Sequence, residues 1–216
     1  MTAPRRDNYR IQAEQAKACF LTYDQEALIR KFGLEWDDRY LYVTLLSSRY
    51  RIDRRNADFQ RQIDSRWING NSFHEVMTIL DLLCDSRPDR HLAHSWQNMH
   101  AFGLMFHQNL LERQDPFADR IQADPEGFRR ACLTMGGEPV PGCDIGFSLE
   151  LFDGLPVAIQ FWFGDEEFYP RIRWLWDANA LQYIRYETMH FAVPLIARRI
   201  AEQMEAGCPV KPQTSI

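Results

Sequence analysis

An α+β fold, built as an antiparallel sheet with helices packed on it, is what this sequence predicts. Three observations carry the prediction. Residues 40–53 and 145–176 alternate apolar and polar side chains with the period of strands. The segments between and around them repeat apolar residues at helical spacing and open on capping residues. The chain has 216 residues, 45% of them aliphatic, aromatic or cysteine, which is enough for a sizeable core.

The elements follow in order. Residues 8–22 have helical spacing. Asp24 is placed as the N-cap of a short helix over 25–32, with Gly33 at its C′ position. Residues 40–46 read as a strand, Ser47 and Ser48 as its turn, and 49–53 as the return strand. Arg49, Arg51, Arg54 and Arg55 form a local basic cluster, which a solvated strand face explains as well as a phosphate site does. Residues 58–71 are polar and of ambiguous period, with room for a short strand at Trp67 and Ile68 before the Asn69-Gly70 turn. Ser72 with Glu75 three residues on makes a capping box, and Val76, Met77, Leu80 and Leu83 give the helix behind it an apolar stripe.

Residues 91–107 hold four of the six histidines, His91, His94, His100 and His107. Trp96, Met99 and Phe102 are interleaved with them and no His-Glu-x-x-His spacing occurs, so packing or surface histidines are the simpler reading than metal ligands. Residues 108–113 read as helical. Asp115-Pro116 and Asp124-Pro125 each set an acidic cap before a proline at the first helical position. Gly136-Gly137 closes the second of these helices.

In residues 145–163 the apolar side chains fall at odd positions on both sides of Asp153-Gly154. A two-residue turn at Asp153-Gly154 would pair odd with even positions and split that set between two faces. A three-residue loop, Phe152 to Gly154, is therefore expected, pairing Leu151 with Leu155 and Leu149 with Val157. Residues 171–176 form a third strand. The period then turns helical from Ala178, with Pro194 kinking or splitting the helix. Residues 1–206 are read as one domain and 207–216 as a flexible tail.

Composition excludes some classes. There are 25 Lys and Arg against 30 Asp and Glu, a net charge of -5, so the chain lacks a general pull toward phosphate backbones and no nucleic acid is expected. No apolar run approaches the roughly 18 residues of a membrane span, and no signal peptide is visible. The five cysteines include no C-x-x-C pair, which fits reduced thiols and a cytoplasmic location.

The candidate chemistry sits at the ends of the central strands. Asp165, Glu166 and Glu167 stand in a row between the second and third of them. Three carboxylates can take a hard divalent cation, or one of them can act as an acid; they are also ordinary content of a solvated turn. Asp177 either joins them or caps the last helix. Glu187 and His190 match one Glu-x-x-His ligand pair of di-iron bundles, which need two such pairs and further glutamates. Trp162 and Trp176 are candidate pocket lining. No particular cofactor is indicated.

Tyr9-x-Ile11-Gln12, Phe20-x-x-Tyr23-Asp24, Tyr50-Arg-Ile-Asp53, Gly136-Gly-Glu-Pro139, Gln160-Phe-Trp162, Gly164-Asp-Glu-Glu-Phe168, Leu175-Trp-Asp177, Asn179-Ala-Leu181 and Tyr186-Glu-Thr188 together resemble the bacterial domain-of-unknown-function 3786 family. The resemblance is densest from Gly136 onward. It implies a setting in anaerobic metabolism and, from the architecture of some relatives, an iron–sulfur partner protein. It assigns no activity or catalytic residue.

Three readings stay open from the sequence. One is an accessory domain that binds a small molecule or cofactor. The second is a metal-assisted hydrolase or transferase using the acidic cluster. The third is an interaction module whose aromatic face docks a partner.

Overall fold

The computed structural model describes residues 4–103 and 115–207. The expected helix over 108–113, His107, and the tail beyond Gly207 lie outside the described residues. Among the described residues the fold has six α-helices and two antiparallel sheets. The helices are α1 (Pro4–Phe20), α2 (Gln25–Phe32), α3 (Phe73–Asp85), α4 (Pro116–Ala123), α5 (Pro125–Thr134) and α6 (Tyr186–Ala206). The first sheet runs in chain order through β1 (Glu35–Trp36), β2 (Tyr40–Leu45), β3 (Ser48–Asp53), β4 (Phe59–Ile63) and β5 (Arg66–Asn69). The second contains β6 (Trp96–Asn98), β7 (Glu138–Pro139), β8 (Ile145–Phe152), β9 (Leu155–Trp162) and β10 (Arg171–Asp177), in the order β6-β10-β9-β8-β7. The α+β class holds.

The expectation of one sheet does not. Residues 40–53 and 145–176 belong to different sheets, because each recruits its own short neighbours. The polar stretch 59–69 is the β4–β5 hairpin. It was illegible by period because its apolar residues are few: Phe59 and Arg61 face the core, while Ile63 and Ile68 stay exposed.

Capping accounts for the helix boundaries. Asp24, Ser72, Asp115 and Asp124 each accept a backbone N–H from the first turn behind them. Gly33 closes α2 with φ +61°, a left-handed conformation that glycine adopts without a Cβ penalty.

The β8–β9 hairpin shows how register survives a different turn. The loop has two residues, Asp153 and Gly154, both at positive φ. That backbone matches the right-handed twist of paired strands. A bulge between Glu150 and Phe152 absorbs one residue, so Phe152 pairs with Leu155 while Leu149 still pairs with Val157. Eight of the nine odd apolar residues of 145–163 are thereby buried, and Phe163 is exposed.

The same bulge joins the sheets. Leu46 and Ser47, the turn of the β2–β3 hairpin, both have positive φ. The Leu46 N–H donates to the carbonyl of Leu151, the bulged residue, at 3.0 Å. The Ser47 hydroxyl donates to the Met135 carbonyl at 2.7 Å. The tip of the first sheet is thus pinned to the second sheet and to the end of α5.

Candidate functional site

The candidate residues read from the sequence fall in separate places. Asp165, Glu166 and Glu167 are exposed in the β9–β10 connection. Asp165 folds that connection, accepting the N–H groups of Glu167 and Phe168 at 2.8 Å each, and these bonds hold its carboxyl below the usual range. Asp177 lies at the other end of β10, about 20 Å along the strand from its start. The idea that it joins the acidic row is therefore corrected by strand length.

Nor does Asp177 cap the last helix. It is buried, and its carboxylate accepts the N–H groups of Ala93, His94 and Asn179 at 2.8 to 2.9 Å. It pins the segment that leads into β6. The residues after it form a single 3-10 turn, Ala180–Gln182, and α6 starts only at Tyr186, running unbroken through Pro194. At its start α6 is met by Asp81 of α3, which accepts the Arg185 N–H at 2.8 Å. Burial and a hydrogen bond with Asp85 push the Asp81 carboxyl up to about 6.

Glu187 is exposed on α6, and His190 is half-buried with the Tyr186 ring edge-on at 4.9 Å. Trp162 is half-buried under the guanidinium groups of Arg171 and Arg173, each 5.0 Å from its ring centre. Trp176 is fully buried in the core. Among the described residues, no group of three or more His, Cys, Asp and Glu side chains is placed to hold a metal ion.

A different constellation does converge, at the N-terminal end of α3. A hollow of about 410 Å³ opens there, lined by Arg61, Asn69, Asn71, Ser72, Glu75, Arg198, Arg199 and Glu202. Each side chain is delivered by local structure. Asn71 exchanges two hydrogen bonds with the Phe59 backbone, at 3.0 and 3.1 Å, and so ties the β4–β5 hairpin to the start of α3. Ser72 caps α3, which sets Glu75 in its first turn. Arg198, Arg199 and Glu202 come from adjacent faces of α6.

At the floor is a buried polar group. Tyr50 of β3 donates to Glu75 at 3.0 Å and accepts from Arg199 at 2.6 Å, and Arg199 also pairs with Glu75 directly. Arg199 reaches both carboxylate oxygens of Glu202 at 2.8 and 2.9 Å, and Arg61 donates to Glu202 at 2.7 Å. Burial pushes the Tyr50 phenol well above its ordinary range, so it stays neutral. Burial works against the charge on Arg199, but Tyr50 and Glu75 outweigh it and hold the guanidinium ionised. Burial likewise opposes the charge on Glu202, and the bonds from Arg61 and Arg199 reverse that effect, leaving its carboxyl below the usual range.

Toward solvent, Arg198 donates to Ser72 at 3.1 Å and stands 3.7 Å from Glu75. Three guanidinium groups thus face two carboxylates, one positive charge in excess, beside the positive end of a helix dipole. The Nε–H groups of Arg61, Arg198 and Arg199 are buried and take no acceptor among the described residues. An unsatisfied buried donor is costly, more so on a charged group. Burial and Arg198 lower the pKa of His74, two residues after Ser72. Such an arrangement can receive an oxyanion.

Sequence reasoning named Ser72 and Glu75 only as a cap and did not single out Arg61, Arg198, Arg199 or Glu202. One signal was present. Arg199 sits between Ile196 and Ile200 on the apolar stripe of α6, and an ionised side chain on a core-facing stripe requires a buried partner.

A family model described as a domain of unknown function (DUF3786) matches residues 24–199. No curated protein and no solved structure is similar enough to match.

Proposed function

The chain belongs to the DUF3786 family, whose description assigns no activity, and from its own residues we propose that it is a small-molecule-binding domain that takes an anionic ligand, a carboxylate or a phosphate, in the hollow at the start of α3. The observation that carries this reading is the excess of guanidinium over carboxylate groups in the lining of that hollow, three arginines against two glutamates. Arg198 is the residue for direct contact, because it stands on the open side, half in solvent. Arg61 and Arg199 set the field beneath it, and the first-turn N–H groups of α3 add donors that favour an anion. We place this binding in an accessory role in bacterial anaerobic metabolism on the strength of the family resemblance.

The test is thermal melting and calorimetric titration of the purified chain with inorganic phosphate and a panel of small mono- and dicarboxylates, each against chloride at matched ionic strength. A ligand near 100 times its dissociation constant is expected to stabilise the fold by about 2.7 kcal/mol. Arg198→Ala is expected to keep the fold and lose that response. If no anion in the panel acts beyond chloride, or if Arg198→Ala responds as the parent does, the reading fails.

A further inference from the structure

The two faces of the first sheet differ. One is packed into the core through Leu41, Val43, Tyr50, Ile52 and Phe59. The other carries Tyr40, Tyr42, Arg49, Arg51 and Trp67, half-buried to exposed, among Thr44, Gln60 and Gln62, with the buried Asp53 at its edge and Asp37 near enough for Arg51 to help lower its carboxyl. Arg51 lies between Tyr40 and Trp67, its guanidinium 4.3 and 4.4 Å from their ring centres. Arg49 covers Tyr42 at 4.8 Å. Arg49 pairs with Glu35, but Arg51 forms no ion pair among the described residues; its Nε donates to the neutral amide of Gln60 at 2.6 Å. That bond leaves both Nη groups for an incoming carboxylate. A guanidinium held between two rings is preorganised for bidentate pairing. Tyr, Trp and Arg at the centre of a surface are also the residue types that dominate protein interfaces.

The complementary surface is on the same chain. In the β9–β10 connection the Asp165 N–H donates to the Phe168 carbonyl at 2.9 Å, which closes a tight turn with Glu166 and Glu167 at its tip. Phe168 and Tyr169 follow, 70% and 69% exposed. A solvated turn needs no such rings, whereas a docking segment does. Inside one chain this acidic, aromatic turn is not in contact with the arginine face among the described ion pairs and ring contacts.

We propose that the chain associates with a second copy through these two surfaces. The acidic turn of one copy seats on the arginine–aromatic face of the other, with Glu166 or Glu167 on Arg51 and Phe168 and Tyr169 against the rings beside it. Each copy carries both surfaces, and the contact is returned between the same two copies, closing the pair on a twofold axis; a contact that ran on head to tail would give masses above the dimer and would overturn the twofold pair.

Sedimentation of the purified full chain over a range of concentrations tests this. The parent is expected to double its mass with a dissociation constant on the order of 10 µM, in keeping with a small interface. The affinity is expected to fall about tenfold or more at high salt, since exposed charges are screened. Arg51→Glu, and separately the pair Glu166→Lys with Glu167→Lys, are each expected to stay monomeric. Mixed in equal amounts they are expected to associate, because reversed charge then meets reversed charge at one contact and the native pair at the other. The acidic-turn variant is solvent-exposed and keeps the fold even if Arg51→Glu does not. A parent that stays monomeric at every concentration, charge-reversed variants that associate as the parent does, or folded variants that fail to associate when mixed would each overturn the proposal. Arg198→Ala is expected to leave association unchanged, which separates this surface from the anion site.

Discussion

Two sets of carboxylates in this protein have similar side chains and opposite situations. Glu75 and Glu202 are 127 positions apart in sequence, yet both join one network with Arg61, Arg198 and Arg199, Glu75 at its buried floor and Glu202 at its half-exposed rim. Asp165, Glu166 and Glu167 are consecutive, yet all three are exposed at a turn, where Asp165 accepts only the turn's own N–H groups. The difference teaches where charge does work. Consecutive acids repel one another and gain most from hydration, so a row of them marks a turn. Acids dispersed along the chain carry no local signal, but the fold can bring them into low dielectric, where pairing is strong and a missing partner is expensive.

The sharpest way to break the comparison is Glu75→Ala. It leaves the buried Arg199 guanidinium with the half-exposed Glu202 as its remaining counter-charge and the Tyr50 hydroxyl without its acceptor, and is expected to cost about 3–5 kcal/mol in urea unfolding. The double variant Glu75→Leu with Arg199→Met removes both charges at similar volume and is expected to recover most of that loss. If the single variant were as stable as the parent, the network would not be buried as described.

Asp177 comes next. Asp177→Ala leaves three backbone N–H groups without their acceptor and is expected to cost about 2–4 kcal/mol by thermal or urea unfolding. It separates an acid that organises backbone from one that pairs with arginine.

A smaller effect comes from Asp81, whose folded-state carboxyl is raised to about 6 from the usual 3.8. The folded chain holds this proton more tightly than the unfolded chain does. Its contribution is fully present below the unfolded value and is lost as pH rises from about 4 through 6. Unfolding free energies of the parent minus those of Asp81→Asn are expected to decline over that window and level off above it. A flat difference would show that Arg185 and Thr188 cancel the burial of the acid.

Smallest of all, Glu166→Gln and Glu167→Gln are each expected to change stability by no more than about 0.5 kcal/mol. A larger loss in monomeric protein would mean that the turn is not merely solvated.

Much of the local structure was legible. Asp24, Ser72, Asp115 and Asp124 cap the helices they precede because a cap is a contact between near neighbours. Leu149 faces Val157 because a strand has period two and the buried face sets the register, even though the turn has two residues and a bulge supplies the third. The α+β class followed from the same local periods. Other features depended on packing between distant segments. Two sheets formed where one was expected, because pairing partners such as β6 and β10 are chosen across the chain. Asp177 holds Ala93 and His94 rather than a helix, since those two donors reach it only after β6 and β10 have paired. The charged hollow proposed as an anion site needs β3, β4, α3 and α6 together, and no spacing along the chain encodes that meeting. Short-range hydrogen bonds and periodic burial are written in neighbouring residues; the desolvated charge network is not, because its energy exists only once the core has closed around it.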